Sequence, residues 1–181
     1  MSRICHRQIQ SKACQKAAWP SHKEKCKVNQ RAHGGLGDVP APLKDLRAFT
    51  SKHRPSLAEA GIRALDACAD PSRTKKFLLV VFLRSRPDSR RIETMFYATG
   101  ADVVPFDMFP QAEEMRGMLR LAHEENVRTG FMGTLNVILL CVDTGTSNVM
   151  PVGFDPHTPL EPLSMDWKSC LMKKLNEGIV S

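Results

Sequence analysis

Residues 43–181 read as an α+β domain, on three observations. Apolar runs of strand length occur four times. Stretches with helical spacing and recognisable start or stop signals occur three times. The two kinds follow one another as helix, two strands, helix, two strands, helix. That order is met by a two-layer domain, with two β-hairpins in one sheet and about three helices packed on one face. A small Cys- and His-bearing segment over 1–27 and a linker over 28–42 precede it.

Residues 28–42 contain Gly34-Gly35, Gly37, Pro40 and Pro42 with no sustained period, which marks a linker. Ser56 with Glu59 offers a capping box for a helix running to about Cys68, with Leu57, Ala64, Leu65 and Cys68 as its apolar stripe. Lys76 to Leu83, rich in Phe, Leu and Val, predicts a strand. A polar loop over Arg84–Arg91 leads to a second strand from Ile92 to about Ala98. Pro110 opens a helix whose first turns carry Glu113 and Glu114, where the helix dipole favours acids. Met115, Met118, Leu119 and Ala122 supply its apolar face. Leu135 to Val142 is the clearest strand, turning through Asp143-Thr144-Gly145 into Asn148–Phe154. Ser164 is the expected cap of a last helix bearing Trp167, Cys170, Leu171 and Leu175, which Gly178 ends.

Composition bounds the class. An apolar share of 42% and a charged share of 25% are those of a globular protein rather than a disordered one. The longest apolar run, Phe77–Leu83, is far short of a membrane span, and no secretory leader is apparent, so no membrane role is expected. Cys68, Cys141 and Cys170 are scattered through apolar patterns rather than spaced as a disulfide framework. A reducing intracellular setting, nucleus or cytoplasm, is the expectation. The net charge of +7 has one source: residues 1–31 carry eight of the 26 Lys and Arg and one of the 19 acids. Such a cluster reads either as a phosphate-binding face or as the solvated exterior of a small module. No aromatic interleaving or base-reading motif accompanies it.

The chemistry is densest in the run Ser11-Lys12-Ala13-Cys14-Gln15-Lys16-Ala17-Ala18-Trp19-Pro20-Ser21-His22-Lys23-Glu24-Lys25-Cys26. Two thiols and an imidazole within thirteen residues are the soft and borderline ligands that Zn²⁺ selects. Pro20 suits the first position of a short helix, which places His22 and Cys26 at i and i+4 on one face.

This run resembles the second half of a MYND-type zinc finger, matching it without a gap at Ser11, Cys14, Gln15, Trp19, His22 and Cys26. The family's finger holds two zinc ions with eight ligands. The resemblance implies that Cys14 serves the first zinc, and His22 and Cys26 the second. The two Cys-x-x-Cys pairs of the first half are missing, and the Tyr-Cys expected before Ser11 is Ile9-Gln10 here. Cys5, with His6 beside it, falls near the position of a missing thiol. A makeshift zinc site from Cys5, Cys14, His22 and Cys26, with His6 as a substitute, is the expectation. The seam between Gln10 and Ser11 suggests a truncated or read-through gene model, with the missing pairs encoded upstream. The family's finger binds proline-containing peptides of partner proteins, often in transcriptional or chromatin regulation. The resemblance assigns that contact to Gln15 and Trp19, although Trp19 equally suits the finger's own core.

Other constellations are weaker. His123-Glu124-Glu125 lacks the second His of a zinc-protease helix, since Val127 stands there. Thr129-Gly130-Phe131-Met132-Gly133 lacks the Lys-Ser/Thr of a phosphate loop. Asp155-Pro156-His157 pairs an acid with an imidazole but lies in a proline-rich loop. The SET methyltransferase domain of some MYND proteins is excluded by the absence of its Asn-His-x-Cys stretch and glycine-rich segments. The expected function is a non-enzymatic, zinc-dependent protein–protein interaction. The alternatives are an enzyme or ligand-binding domain over 43–181 with the finger as accessory, and a nucleic-acid-binding N-terminus.

Overall fold

The computed structural model describes residues 40–110, 112–155, 160, 162–163 and 165–180. The chain divides into two units, Met1–Val39 and Pro40–Ser181, and the fold is that of the second. Among the described residues, four α-helices are formed by Ala41–Lys52 (α1), Arg54–Ala64 (α2), Ala112–Arg128 (α3) and Trp167–Glu177 (α4). Four strands are formed by Phe77–Ser85 (β1), Phe96–Pro105 (β2), Gly133–Cys141 (β3) and Thr146–Phe154 (β4). Short 3₁₀ turns at Pro71–Lys75, Ile92–Thr94 and Phe106–Met108 join them.

The strands make one mixed sheet in the order β2-β1-β3-β4. Each sequential pair, β1 with β2 and β3 with β4, is an antiparallel hairpin, and the hairpins meet where β1 runs parallel to β3. The central strands explain their composition. β1 and β3 are buried on both faces, so they read as continuous apolar runs rather than alternating ones.

The α+β class and the two hairpins in one sheet hold, but the helices divide between the two faces instead of packing on one, so there are three layers. Leu79, Val81, Leu83, Val137 and Leu139 face α1, α2 and α4, whose Leu46, Phe49, Leu57, Leu171 and Leu175 complete the larger core. Leu78, Val80 and Ile138 point the other way, onto Met115 and Leu119 of α3 and onto Phe106. The physical reason is the period of two along a strand: an unbroken apolar run gives both faces something to bury.

Boundaries also differ from expectation. α1 begins at Ala41, inside the stretch read as linker, and buries Leu46, Phe49 and Thr50. α2 follows after the single residue His53, so Ser56 lies buried inside that helix rather than capping it, with Pro55 in its first turn. β2 starts at Phe96 and runs to Pro105, because a bulge opposite Phe82/Leu83 reverses its alternation: Phe96 and Ala98 are buried before it and Ala101 after it. Ser164 lies outside the described residues. Asp166 caps α4, its carboxylate accepting the N–H groups of Lys168 and Ser169 at 3.0 Å each.

The two outer strands are treated differently. On β2, the Asn176 side chain closes a ring with Ala98, accepting its N–H at 2.7 Å and donating to its C=O at 3.1 Å. An amide thereby does what another strand would do and blocks the edge. Among the described residues no side chain pairs with both backbone groups of one β4 residue in this way.

Candidate functional site

The residues assigned to the finger, Cys5, Cys14, Gln15, Trp19, His22 and Cys26, lie outside the described residues, as do His6, Pro156 and His157. Among the described residues no group of three or more His, Cys, Asp or Glu side chains is placed to hold a metal ion. None of the described helices is long and apolar enough to cross a membrane.

The other candidates resolve individually. His123 is half-buried on α3 with Glu124 and Glu125 exposed beside it, and Arg128 holds the Glu125 carboxylate at 2.7 Å. Thr129–Met132 is the turn between α3 and β3: Gly130 adopts φ +98°, and Phe131 N–H returns to Asn126 C=O at 3.0 Å. Cys141 is 1% exposed in the larger core. Burial raises its thiol pKa, but hydrogen bonds from Thr144 and Ser85 outweigh that and leave it below the ordinary value. Enclosure nonetheless keeps it from any substrate. Cys68 and Cys170 are partly buried, and Cys68 packs against the same core as a small hydrophobe.

Two concavities matter. Between α2 and α4, a crevice of about 10 Å³ is lined by Glu59, Arg63, Trp167 and Lys174. It is too small for more than about one water and is a packing seam. Burial raises the pKa of Glu59, yet bonds from Arg63 and Lys174 outweigh it and hold the carboxyl below its ordinary value.

The second concavity is a groove of about 150 Å³ between α3 and β4. Met115, Met118, Leu119 and Ala122 form its helical wall, Val149 and Pro151 its strand wall, and Asn136 is its polar residue. Register explains the placement, since Asn136 on β3 pairs directly with Pro151 on β4 and both side chains stand on the α3 face. The groove exists because a single helix covers this face of a four-stranded sheet. Met118 stays 53% exposed, Leu121 65% and Val149 39%. No charged side chain lines it. Asn136 is 3% exposed, and its amide has no hydrogen-bond partner among the described residues. Sequence reading passed over this residue. Its signal was present: an amide in the middle of the otherwise apolar run Leu135–Cys141.

One buried polar group lies elsewhere. His53, at the joint of α1 and α2, is wholly buried, with Nε2 2.9 Å from the Glu93 carbonyl and Nδ1 unpartnered. The ring therefore carries its proton on Nε2. Burial lowers its pKa, opposed by the Glu93 carbonyl and carboxylate. Below about pH 6.5, the unperturbed value, an unfolded chain takes up a proton that the folded one refuses. Stability is therefore full above that pH and falls as pH drops toward the depressed folded value. Thermal melts of wild type and His53→Phe between pH 7.5 and 5.5 should show a shallower decline in the variant. Equal slopes would remove His53 as the cause.

The chain matches no family model, no curated protein and no solved structure.

Proposed function

We propose that the protein is a zinc-binding protein–protein interaction protein of the MYND finger type, acting as a transcriptional or chromatin regulator and not as an enzyme. The observation that carries this reading is the ungapped run from Ser11 to Cys26, with Cys14, Gln15, Trp19, His22 and Cys26 at the family's spacing. In it, Cys5, Cys14, His22 and Cys26 hold Zn²⁺, while Gln15 and Trp19 meet a proline-containing peptide. A compartment inside the cell, nucleus or cytoplasm, follows from free thiols serving as ligands. The Pro40–Ser181 unit supports an interaction role with a groove of about 150 Å³ that is apolar and lined by neither His123 nor Asp155.

Metal analysis of the purified chain is expected to give about one zinc per molecule, as one set of four ligands allows. Cys26→Ser and His22→Ala should each abolish it. Capture of proline-containing peptides should be lost with a chelator and restored by zinc. Peptide capture indifferent to zinc removal, from a chain that purifies without metal, would overturn the reading. Binding to nucleic acid that falls steeply with salt and vanishes on deleting residues 1–31 would favour the basic N-terminus instead.

A further inference from the structure

Along the outer edge of β4 the Pro151 carbonyl is taken by Arg54, and the outward backbone groups of Ser147 and Val149 have no partner among the described residues. Pro151 fixes which groups face outward: it has no N–H, it pairs with Asn136, and its carbonyl accepts Arg54 Nη2 at 3.2 Å from outside the sheet. The β3–β4 register is unbroken, so Ser147 and Val149, at the same parity, also turn their N–H and C=O outward. Neither pair has a partner among the described residues. No charged residue, the usual guard of such an edge, occurs between Thr146 and Phe154. On the other outer strand Asn176 occupies both backbone groups of Ala98. The open edge borders the groove, whose strand wall is Val149 and Pro151.

We propose that this edge and groove together bind an extended peptide segment of a partner protein that carries a tyrosine or tryptophan. The segment adds a strand beside β4, exchanging main-chain hydrogen bonds with Val149 and Ser147. Its alternate side chains on the α3 face lean over Val149 and Pro151 into the groove. Asn136 lies two strand spacings, about 9.6 Å, from the added strand. Only a long side chain with a donor at its far end crosses that distance and meets the amide. A groove of about 150 Å³ is the size that accepts a benzene ring. The thioethers of Met115 and Met118 favour an aromatic occupant. The absence of charge in the lining excludes a carboxylate or phosphate, which would lose hydration with nothing to replace it. The unpaired main-chain groups favour a peptide over a free aromatic molecule. This inference rests on the Pro40–Ser181 unit and is independent of the finger.

Methionine-methyl NMR on the full chain tests the groove, with p-cresol and toluene as probes that differ by one hydroxyl. Saturable shifts should centre on Met115 and Met118, with p-cresol binding several-fold tighter. Asn136→Leu, which puts an apolar side chain of similar size into an otherwise apolar strand and so should fold, is expected to abolish that preference. For the edge, acetyl-Val-Tyr-Val-amide should bind at least tenfold tighter than p-cresol, and methylating its backbone nitrogens should erase the gain. Equal affinities for the two small probes, or a preference unchanged in Asn136→Leu, would overturn the role of the amide. Equal binding of the peptide and its N-methylated form would overturn strand addition. Concentration-dependent dimerisation that Val149→Pro reverses would assign the edge to a second copy of the chain and likewise overturn the proposal.

Discussion

Phe49→Ala is expected to destabilise the Pro40–Ser181 unit by about 3–5 kcal/mol, the range for emptying a buried aromatic site. Phe49 is wholly buried. Its ring meets Phe96 edge-on at 5.3 Å and lies 4.5 Å from the His53 ring, so it ties α1 to the start of β2 and to the joint with α2. The remaining walls are a helix and a sheet, neither of which can slide inward to fill the gap. Against a total stability of about 5–15 kcal/mol, that loss is a fifth or more. Denaturant titration should show a lower midpoint at unchanged slope, whereas Phe49→Leu, which refills most of the volume, should lose much less. A loss below about 1 kcal/mol for the alanine variant would mean that α1 is not docked where the structure puts it.

Gly178→Ala should cost about 2–3 kcal/mol from two separable causes. Gly178 ends α4 at φ +70°, where a Cβ costs about 1–2 kcal/mol. The conformation is needed because the N–H groups of Gly178 and Ile179 both return to the Lys174 carbonyl. A Cβ there would also stand 2.6 Å from Thr94 Cγ2 and 3.3 Å from Glu93 Cβ. Thr94→Ser keeps the hydroxyl that bonds Ser89 and removes that methyl. In the double variant the steric part should disappear and the conformational part remain, so the two changes combine non-additively. Additive effects would show that the α4 terminus does not sit against the Ile92–Thr94 turn.

Much of this unit was legible in its chemistry. The apolar runs at Phe77–Leu83 and Leu135–Val142 announce strands, but helices were expected on one face of the sheet, and only the packing of both faces showed three layers. The glycine at 178 was readable as a helix stop because few other residues adopt that backbone. α1 was hidden by the prolines at its start, although Leu46 and Phe49 carry a helical spacing. The end of β2 was hidden by a bulge, since one extra residue inverts the alternation on which strand reading depends. For the groove, a lone amide in an apolar strand was the only trace, and composition cannot say whether such an amide finds a partner.

Residues 1–31 carry a local pattern, thiols and an imidazole at the spacing proposed to hold zinc, and caps, turns and strand-forming runs are local in the same way. Tertiary structure alone decided that β4 rather than β3 lies outermost, that Asn176 occupies Ala98 on one edge while Ser147 and Val149 on the other have no backbone partner among the described residues, and that the Asn136 amide beneath α3 has none there either. Those facts depend on contacts between residues far apart in sequence. Strand order and helix placement are set by how whole faces pack, which no local pattern encodes.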